Sequence, residues 1–306
     1  MKRFSLCLVS CFLLFGCQNY SYDGPGEDVP TAGSIEIYVD HCDSLLVTEW
    51  IELFQMNYPK AKVKPVFASH QQMMKWLEVD SLKKAFIINQ KLSNEQKEHL
   101  ALHRNCTVHE TPLAKSSLVF ITHKQGATEN LKLTDIQSHF SKTSQTLSQF
   151  NEIVCDTLGI QLNQLKGFVQ RQTNGKFKLN GLKIVHMKSD QEIINYVHNH
   201  LSALGLISLN NIGNNYNKIA LENQAKVRIL KVQSNELIGY YPFQSQIKAN
   251  QYPFVQDIVA YDLQGYSGLA NGFITFVNSQ PGQIICKKNG LIPSNDVGRT
   301  IEIDSK

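Results

Sequence analysis

From Gly33 onward the chain alternates strand-like and helix-like segments, and that order leaves few architectures open. Ile35, Ile37 and Val39 alternate with Glu36, Tyr38 and Asp40, the two-residue period of a strand. Leu46, Trp50, Phe54 and Tyr58 then recur every four residues beside Ile51, one helical face ended by Pro59. A strand over 63–67, a helix over 71–79, an apolar strand over 85–88 and a helix over 94–102 follow. The order β-α-β-α builds a parallel sheet covered by helices. Further on, 118–122 reads as a buried central strand. Thr134 heads a short helix through Phe140, Ser189-Asp190-Gln191-Glu192 is a capping box before Ile193, and 203–207 returns to strand. Strands are expected over 227–232 and 258–261, and one helix from Gly272 through Ile285, closed by Lys287, Lys288 and Gly290 before Pro293.

A length of 306 residues suits about two domains of ordinary size. With 42% hydrophobic and 18% charged residues the composition is globular, too apolar for disorder and too charged for many membrane spans. Thirty basic residues less Lys2 and Arg3, which fall in the leader described next, leave 28 against 26 acidic ones, a net +2. That balance gives no concentrated basic face for nucleic acid.

Residues 1–16 read as a secretory signal: Lys2 and Arg3, then an apolar stretch from Phe4 to Phe15 interrupted by Ser5 and Ser10. Its end, Leu14-Phe15-Gly16-Cys17, resembles the bacterial lipobox, so Cys17 is expected to carry lipid and anchor the mature chain in the cell envelope. The alternative is an ordinary cleaved signal with an incidental cysteine. Residues 17–32, rich in Pro and Gly, read as a flexible tether. Of seven cysteines, Cys42, Cys106, Cys155 and Cys286 then remain as free thiols, which permit three disulfide pairings.

A family resemblance follows from an ordered set of motifs. Gly33-Ser-Ile-Glu-Ile-Tyr-Val-Asp40 with the helix ending Asn57-Tyr-Pro-Lys-Ala-Lys-Val63 resembles the opening of phosphate-type substrate-binding lipoproteins of ABC transporters. Leu133-Thr-Asp-Ile-Gln137, Ala203-Leu-Gly-Leu-Ile207, Asn250-Gln-Tyr-Pro-Phe254, Gly268-Leu-Ala-Asn-Gly-Phe273, Gly282-Gln-Ile-Ile285 and Gly290-Leu-Ile-Pro293 follow in the family's order. The resemblance implies an α/β, two-lobe periplasmic-binding-protein fold, type II-like, with a hinge and an inter-lobe cleft. Lobe 1 would take residues 33–115 and 212–306, and lobe 2 residues 116–211. Ligands of such sheets sit beyond the carboxyl ends of strands, and oxyanions favour helix N-termini.

By the resemblance the ligand-binding candidates are His41, Cys42 and Ser44 after the first strand, Asp80 and Ser81, and Asp156, Thr157 and Gly159 after a lobe-2 strand. Each group departs from the family. Cys42 stands where a Ser donates to the anion, Leu82 where an Arg often follows the Asp, and 157–161 where the family has a Ser-rich loop; Gln256 replaces an Arg after the Tyr-Pro motif. Each lost donor to an ion costs roughly 1.5–3 kcal/mol, so tight phosphate capture is not expected. Cys42 and Cys155 would face each other across the cleft, where a disulfide or a soft-metal site is conceivable, although buried cysteine usually serves as a small hydrophobe. Gly265, Gly268 and Gly272 do not form a nucleotide loop, the ten histidines lack zinc-hydrolase spacing, and no nucleophile, base and oxyanion set assembles.

The functional expectation is a non-enzymatic, membrane-tethered, monomeric solute-binding lipoprotein. It would need no cofactor and no resident metal, and would deliver phosphate or another small oxyanion to an ABC permease. The alternative is a degenerate binding-protein fold serving protein interaction or sensing in the envelope.

Overall fold

A computed structural model of the chain describes residues 28–141, 147–173, 175, 177–178, 182–233 and 238–295. The leader, Cys17 and the tether as far as residue 27 lie outside the described residues. The elements are β1 (Gly33–Asp40), α1 (Ser44–Asn57), β2 (Ala61–Ala68), α2 (His70–Val79), β3 (Ala85–Ile88), α3 (Asn94–Arg104) and the long β4 (His109–His123). Then come β5 (Asn130–Lys132), α4 (Leu133–Ser141), β6 (Glu152–Cys155), α5 (Ile160–Gln172), β7 (Lys183–His186), α6 (Asp190–Asn199) and β8 (Ala203–Ser208). The chain closes with α7 (Lys218–Lys226), β9 (Val227–Ile229), β10 (Lys231–Gln233), β11 (Gly239–Tyr240), α8 (Gln244–Lys248), β12 (Val255–Asp262), α9 (Leu269–Asn278), α10 (Gln280–Lys288) and β13 (Ile292–Pro293).

The main sheet runs β2-β1-β3-β12-β4-β8-β6-β7, and β11-β10-β5 form a small second sheet. Two parallel α/β units lie at its ends: β1 pairs parallel with β2 and β3, and β6 with β7 and β8. The fifteen residues of β4 join them. Its first part pairs antiparallel with β12, and 118–122 pair with β8, so one strand runs through both halves of a two-lobe fold.

Strand alternation sorts the core. Ile37 and Val39 of β1 join Leu46, Trp50 and Phe54 of α1 and Phe273 and Val277 of α9 in the larger buried cluster. Tyr38, facing the other way, joins Met73, Leu77, Phe86 and Leu100 under α2 and α3. Phe54 meets Phe273 and Phe276 edge-on at 5.3 Å, and Trp50 donates its indole N–H to Gly282 O at 3.0 Å.

Four expectations need correction. The C-terminal helix is two helices, because Ser279 is extended and Pro281 lacks the N–H a continuous helix would use. The strand expected over 227–232 breaks at Leu230: β9 pairs with β4 and β10 with β5. Both therefore hydrogen-bond to the second half of the molecule, although the expected lobe boundary put them in the first. The tether does not extend to residue 32. Asp28 accepts from Leu269 N and Tyr266 OH, both at 2.6 Å, and so caps α9, whose own N-cap residue is Gly268. Pro30 crosses the same helix so closely that a Cβ on Gly272 would lie 1.9 Å from Pro30 O. Ser189 does cap α6, but Glu192 accepts from Lys188 N instead of the Ser189 N–H that a capping box requires.

Candidate functional site

The carboxyl ends of β1, β3, β6 and β8 meet where the two halves of the molecule face each other, and Asp40, Asn89, Asp156 and Asn210 stand at or just past them. After β1 comes a tight turn, His41–Asp43, in which Cys42 and Asp43 are buried. Asp40 ends β1 fully buried, with His70 Nδ1 2.8 Å from its Oδ2; His70 opens α2 and reaches Gln90 Oε1 at 3.0 Å through Nε2. Asn89, just past β3, donates to Asp43 and to Cys42 Sγ. From the other half, Asn210 donates to Asp43, and Asn211 Nδ2 lies 2.8 Å from both Cys42 O and Asp190 Oδ2. Asp190 heads α6 and also accepts from Ser208 N at 2.7 Å.

The two halves touch directly. His41 Nε2 lies 2.8 Å from Asp156 Oδ2, poorly aligned for a directed hydrogen bond, so the contact acts chiefly as an ion pair. Gln71 N donates to Leu158 O at 3.0 Å, backbone to backbone across the cleft. Thr157 Oγ1 meets His186 Nδ1 at 2.9 Å. Gly159 allows this crowding: a Cβ there would stand 2.9 Å from both Asp156 Oδ2 and Gln161 Oε1.

Burial dominates the electrostatics. It lifts the Asp190 carboxyl to about 7, against hydrogen bonds from Ser208 and Asn211 that pull it down. Asp43 is pushed well above the carboxylate range by burial and then by Asp40. The Cys42 thiol is raised by burial and by Asp43, Asp40 and Asp190, so it stays neutral and is no nucleophile. For His41, burial lowers the value, but the close contact with Asp156 and the charges of Asp190, Asp156 and Asp40 carry it above the ordinary one. His70 behaves likewise, through Asp40 and Gln90.

Of the residues expected at the site, His41, Cys42, Asp156, Thr157 and Gly159 meet at this cleft, and Ser44 opens α1 immediately after Asp43. Asp80 and Ser81 are not brought to it. Helix α2 leaves the carboxyl end of β2 and must return the chain to the amino end of β3, which puts residue 80 at the opposite edge of the sheet. There Asp80 pairs with Lys83 at 2.7 Å and its carbonyl accepts from Arg104. The position after β3 that does reach the cleft is Asn89. Cys42, Cys106, Cys155 and Cys286 are all free thiols, so the disulfide weighed for Cys42 and Cys155 is not formed, and both are buried as small hydrophobes usually are. Sequence reasoning also passed over Asp43, His70, Asp190, Asn210 and Asn211. The available signal was position: Asn89 directly follows the strand at 85–88, and Asn210 and Asn211 follow the strand at 203–208.

The comparisons with known proteins agree with this architecture. A phosphate ABC transporter substrate-binding protein, as it is described, of Clostridium perfringens, solved with bound phosphate, is 16% identical, with a TM-score of 0.65 over 86% of this chain and 100% of that one. An ABC-type phosphate transport receptor of Vibrio cholerae is 12% identical, with a TM-score of 0.59 over 85% and 100%. PstS of Borrelia burgdorferi is 21% identical, with a TM-score of 0.51 over 85% and 98%. At these identities the likeness is one of fold. No curated protein matches the chain. The profile of the PBP superfamily domain matches residues 26–281, most of the sequence, and the chain belongs to the PBP superfamily, the periplasmic binding proteins.

Proposed function

We propose that the protein is an envelope solute-binding protein, held to the membrane through lipid on Cys17, that captures a small polar solute between its lobes and passes it to an ABC permease. The observation that carries this reading is the convergence of polar side chains from both halves at the carboxyl ends of four strands, in a PBP superfamily fold. Lobe 1 comprises residues 33–115 with the C-terminal elements from α8 onward, and β4 and β12 form the hinge. It acts as a monomer, and by binding rather than catalysis: Cys42 is a neutral thiol and both cleft histidines are engaged with carboxylates. No helix among the described residues is long and apolar enough to cross a membrane.

Phosphate is a weak ligand in this reading, although two of the similar structures are described as phosphate binders. The titratable side chains of the cleft are the carboxyls of Asp40, Asp43, Asp156 and Asp190 with His41 and His70, so a divalent oxyanion would exchange its hydration for carboxyl groups. A protonated oxyanion could donate to one of them. The direct contacts across the cleft favour a second reading, a fold that no longer captures solute and serves a protein partner. A thermal-shift panel of anionic, cationic and neutral solutes separates the two, since a ligand at 100 times its dissociation constant adds about 2.7 kcal/mol of stability. Stabilisation by one class supports solute capture; no shift with any class supports the partner reading.

A further inference from the structure

We infer that the cleft takes a small organic cation bearing N–H donors, of the primary ammonium or guanidinium class, an inference that rests on the solute-binding reading above. Asp40 and Asp43 at the end of β1, Asp156 after β6 and Asp190 at the head of α6 are each at most 3% exposed. They act as one electrostatic unit: Asp43 is raised by the charges of Asp40 and Asp190, and Asp190 by that of Asp156. Facing them are His41 on Asp156, His70 on Asp40, the neutral thiol of Cys42, and the half-exposed His186, 3.8 Å from Asp156. With His41 and His70 both charged on Asp156 and Asp40, and Asp43 kept neutral by burial, Asp190 still stands without a cation once it ionises.

A second, independent observation points the same way. Among the described residues, Asn89 Oδ1 and Gln256 Oε1 are acceptors on side chains more than nine-tenths buried, and neither has a hydrogen-bond partner. Asn89 Nδ2 donates to Asp43 and Cys42. Gln256 donates to Ser208 Oγ, whose backbone N–H binds Asp190. Oxygens Asp40 Oδ1 and Asp190 Oδ1 are likewise without donors. Against these four acceptors, the unpartnered donors at the cleft outside His41 are Gln161 Nε2 and Ser117 Oγ. A solute that brings several N–H groups and a positive charge completes the acceptors and balances the carboxylates at once. An oxyanion would bring acceptors to acceptors. No group of three or more His, Cys, Asp or Glu among the described residues is arranged to hold a metal ion.

The test is calorimetric titration of the full-length mature protein with putrescine, spermidine and L-arginine, and separately with sodium phosphate and sodium sulfate, at pH 8 and pH 6 in buffers of different ionisation heat. A cation is expected to bind one to one, with little proton release at pH 8 and release of close to one proton at pH 6. Burial holds Asp190 at about 7, so the fraction that must ionise on binding grows at low pH, and affinity falls about tenfold at pH 6. Asp190→Asn, which keeps an acceptor for Ser208 N and Asn211, should weaken the cation at pH 8 at least tenfold and flatten the pH dependence. Binding of phosphate or sulfate with proton uptake, tightening toward pH 6, would overturn the cationic assignment and leave solute capture standing. Heat from none of the probes would overturn the cationic assignment, and solute capture would fall with it only if the neutral solutes of the thermal-shift panel also gave no stabilisation.

Discussion

Replacing Asp190 by Asn should stabilise the protein in mildly alkaline solution, the reverse of what loss of a buried, doubly hydrogen-bonded carboxylate ordinarily does. Asp190 is 3% exposed, and its carboxyl rises from 3.8 to about 7 in the fold, first through burial and then through Asp156. Between those values the native state binds a proton that the unfolded chain has released, so stability falls as pH rises through the window. Three units at about 1.4 kcal/mol each set a ceiling of roughly 4 kcal/mol, and coupling within the cluster makes about 2 kcal/mol the working figure. Asp43, His41 and His70 are all raised as well, and each contributes stability that is lost with rising pH. The Asn side chain retains an acceptor for Ser208 N and Asn211 Nδ2, and cannot ionise. Urea unfolding followed by fluorescence of the buried Trp50 at pH 5, 6, 7 and 8 measures this directly. The wild type should weaken steadily toward pH 8, and the variant should be the more stable of the two there, with a shallower slope. A wild type whose stability rises from pH 5 to 8, or a variant that loses the same amount at every pH, would refute the reasoning.

Three further outcomes are expected. Calorimetry with phosphate should give a dissociation constant well above the micromolar range, and sub-micromolar capture would mean that other groups supply the missing donors. Cys17→Ser should release a folded protein from the membrane fraction, with intact-mass analysis finding acyl mass on the wild-type peptide that starts at Cys17 and none on the variant. Phe54→Ala should cost about 3–5 kcal/mol in chemical denaturation, because the ring is fully buried against Phe273 and Phe276.

Periodicity made the secondary structure legible wherever one face of an element is buried. The strand at 35–39, the helix from Leu46 and the continuous apolar runs at 85–88 and 118–122 all carry that signal. It failed where the decision belongs to a partner. Val227 to Val232 is one apolar run in sequence but serves two sheets, and the change of partner at Leu230 leaves no local trace. Residues 28–32 look like linker because their interactions, Asp28 with the head of α9 and Pro30 over Gly272, are with residues some 240 positions away. For the site, the turn after β1 and the loop after β6 were legible from their place after strands. Asp80 was misplaced because following a helix, rather than a strand, puts it at the wrong edge of a parallel sheet. The acidic character of the cleft was hidden for a different reason: Asp40, Asp43, Asp156 and Asp190 are scattered over 150 positions, and only the crossovers collect them.

The central claim, that solute enters and is held between the lobes, can be tested by locking them. Gln71 N donates to Leu158 O at 3.0 Å, so the two residues are neighbours across the cleft and are the pair to cross-link. A Gln71→Cys, Leu158→Cys protein, with the part-exposed Cys106 replaced by Ser, can be compared reduced and oxidised for binding of whichever solute stabilises the wild type. The account predicts that the reduced protein binds as the wild type does and that oxidation abolishes uptake, with binding restored by reductant. Equal rate and affinity in the oxidised protein would contradict it, and would put the solute outside the cleft.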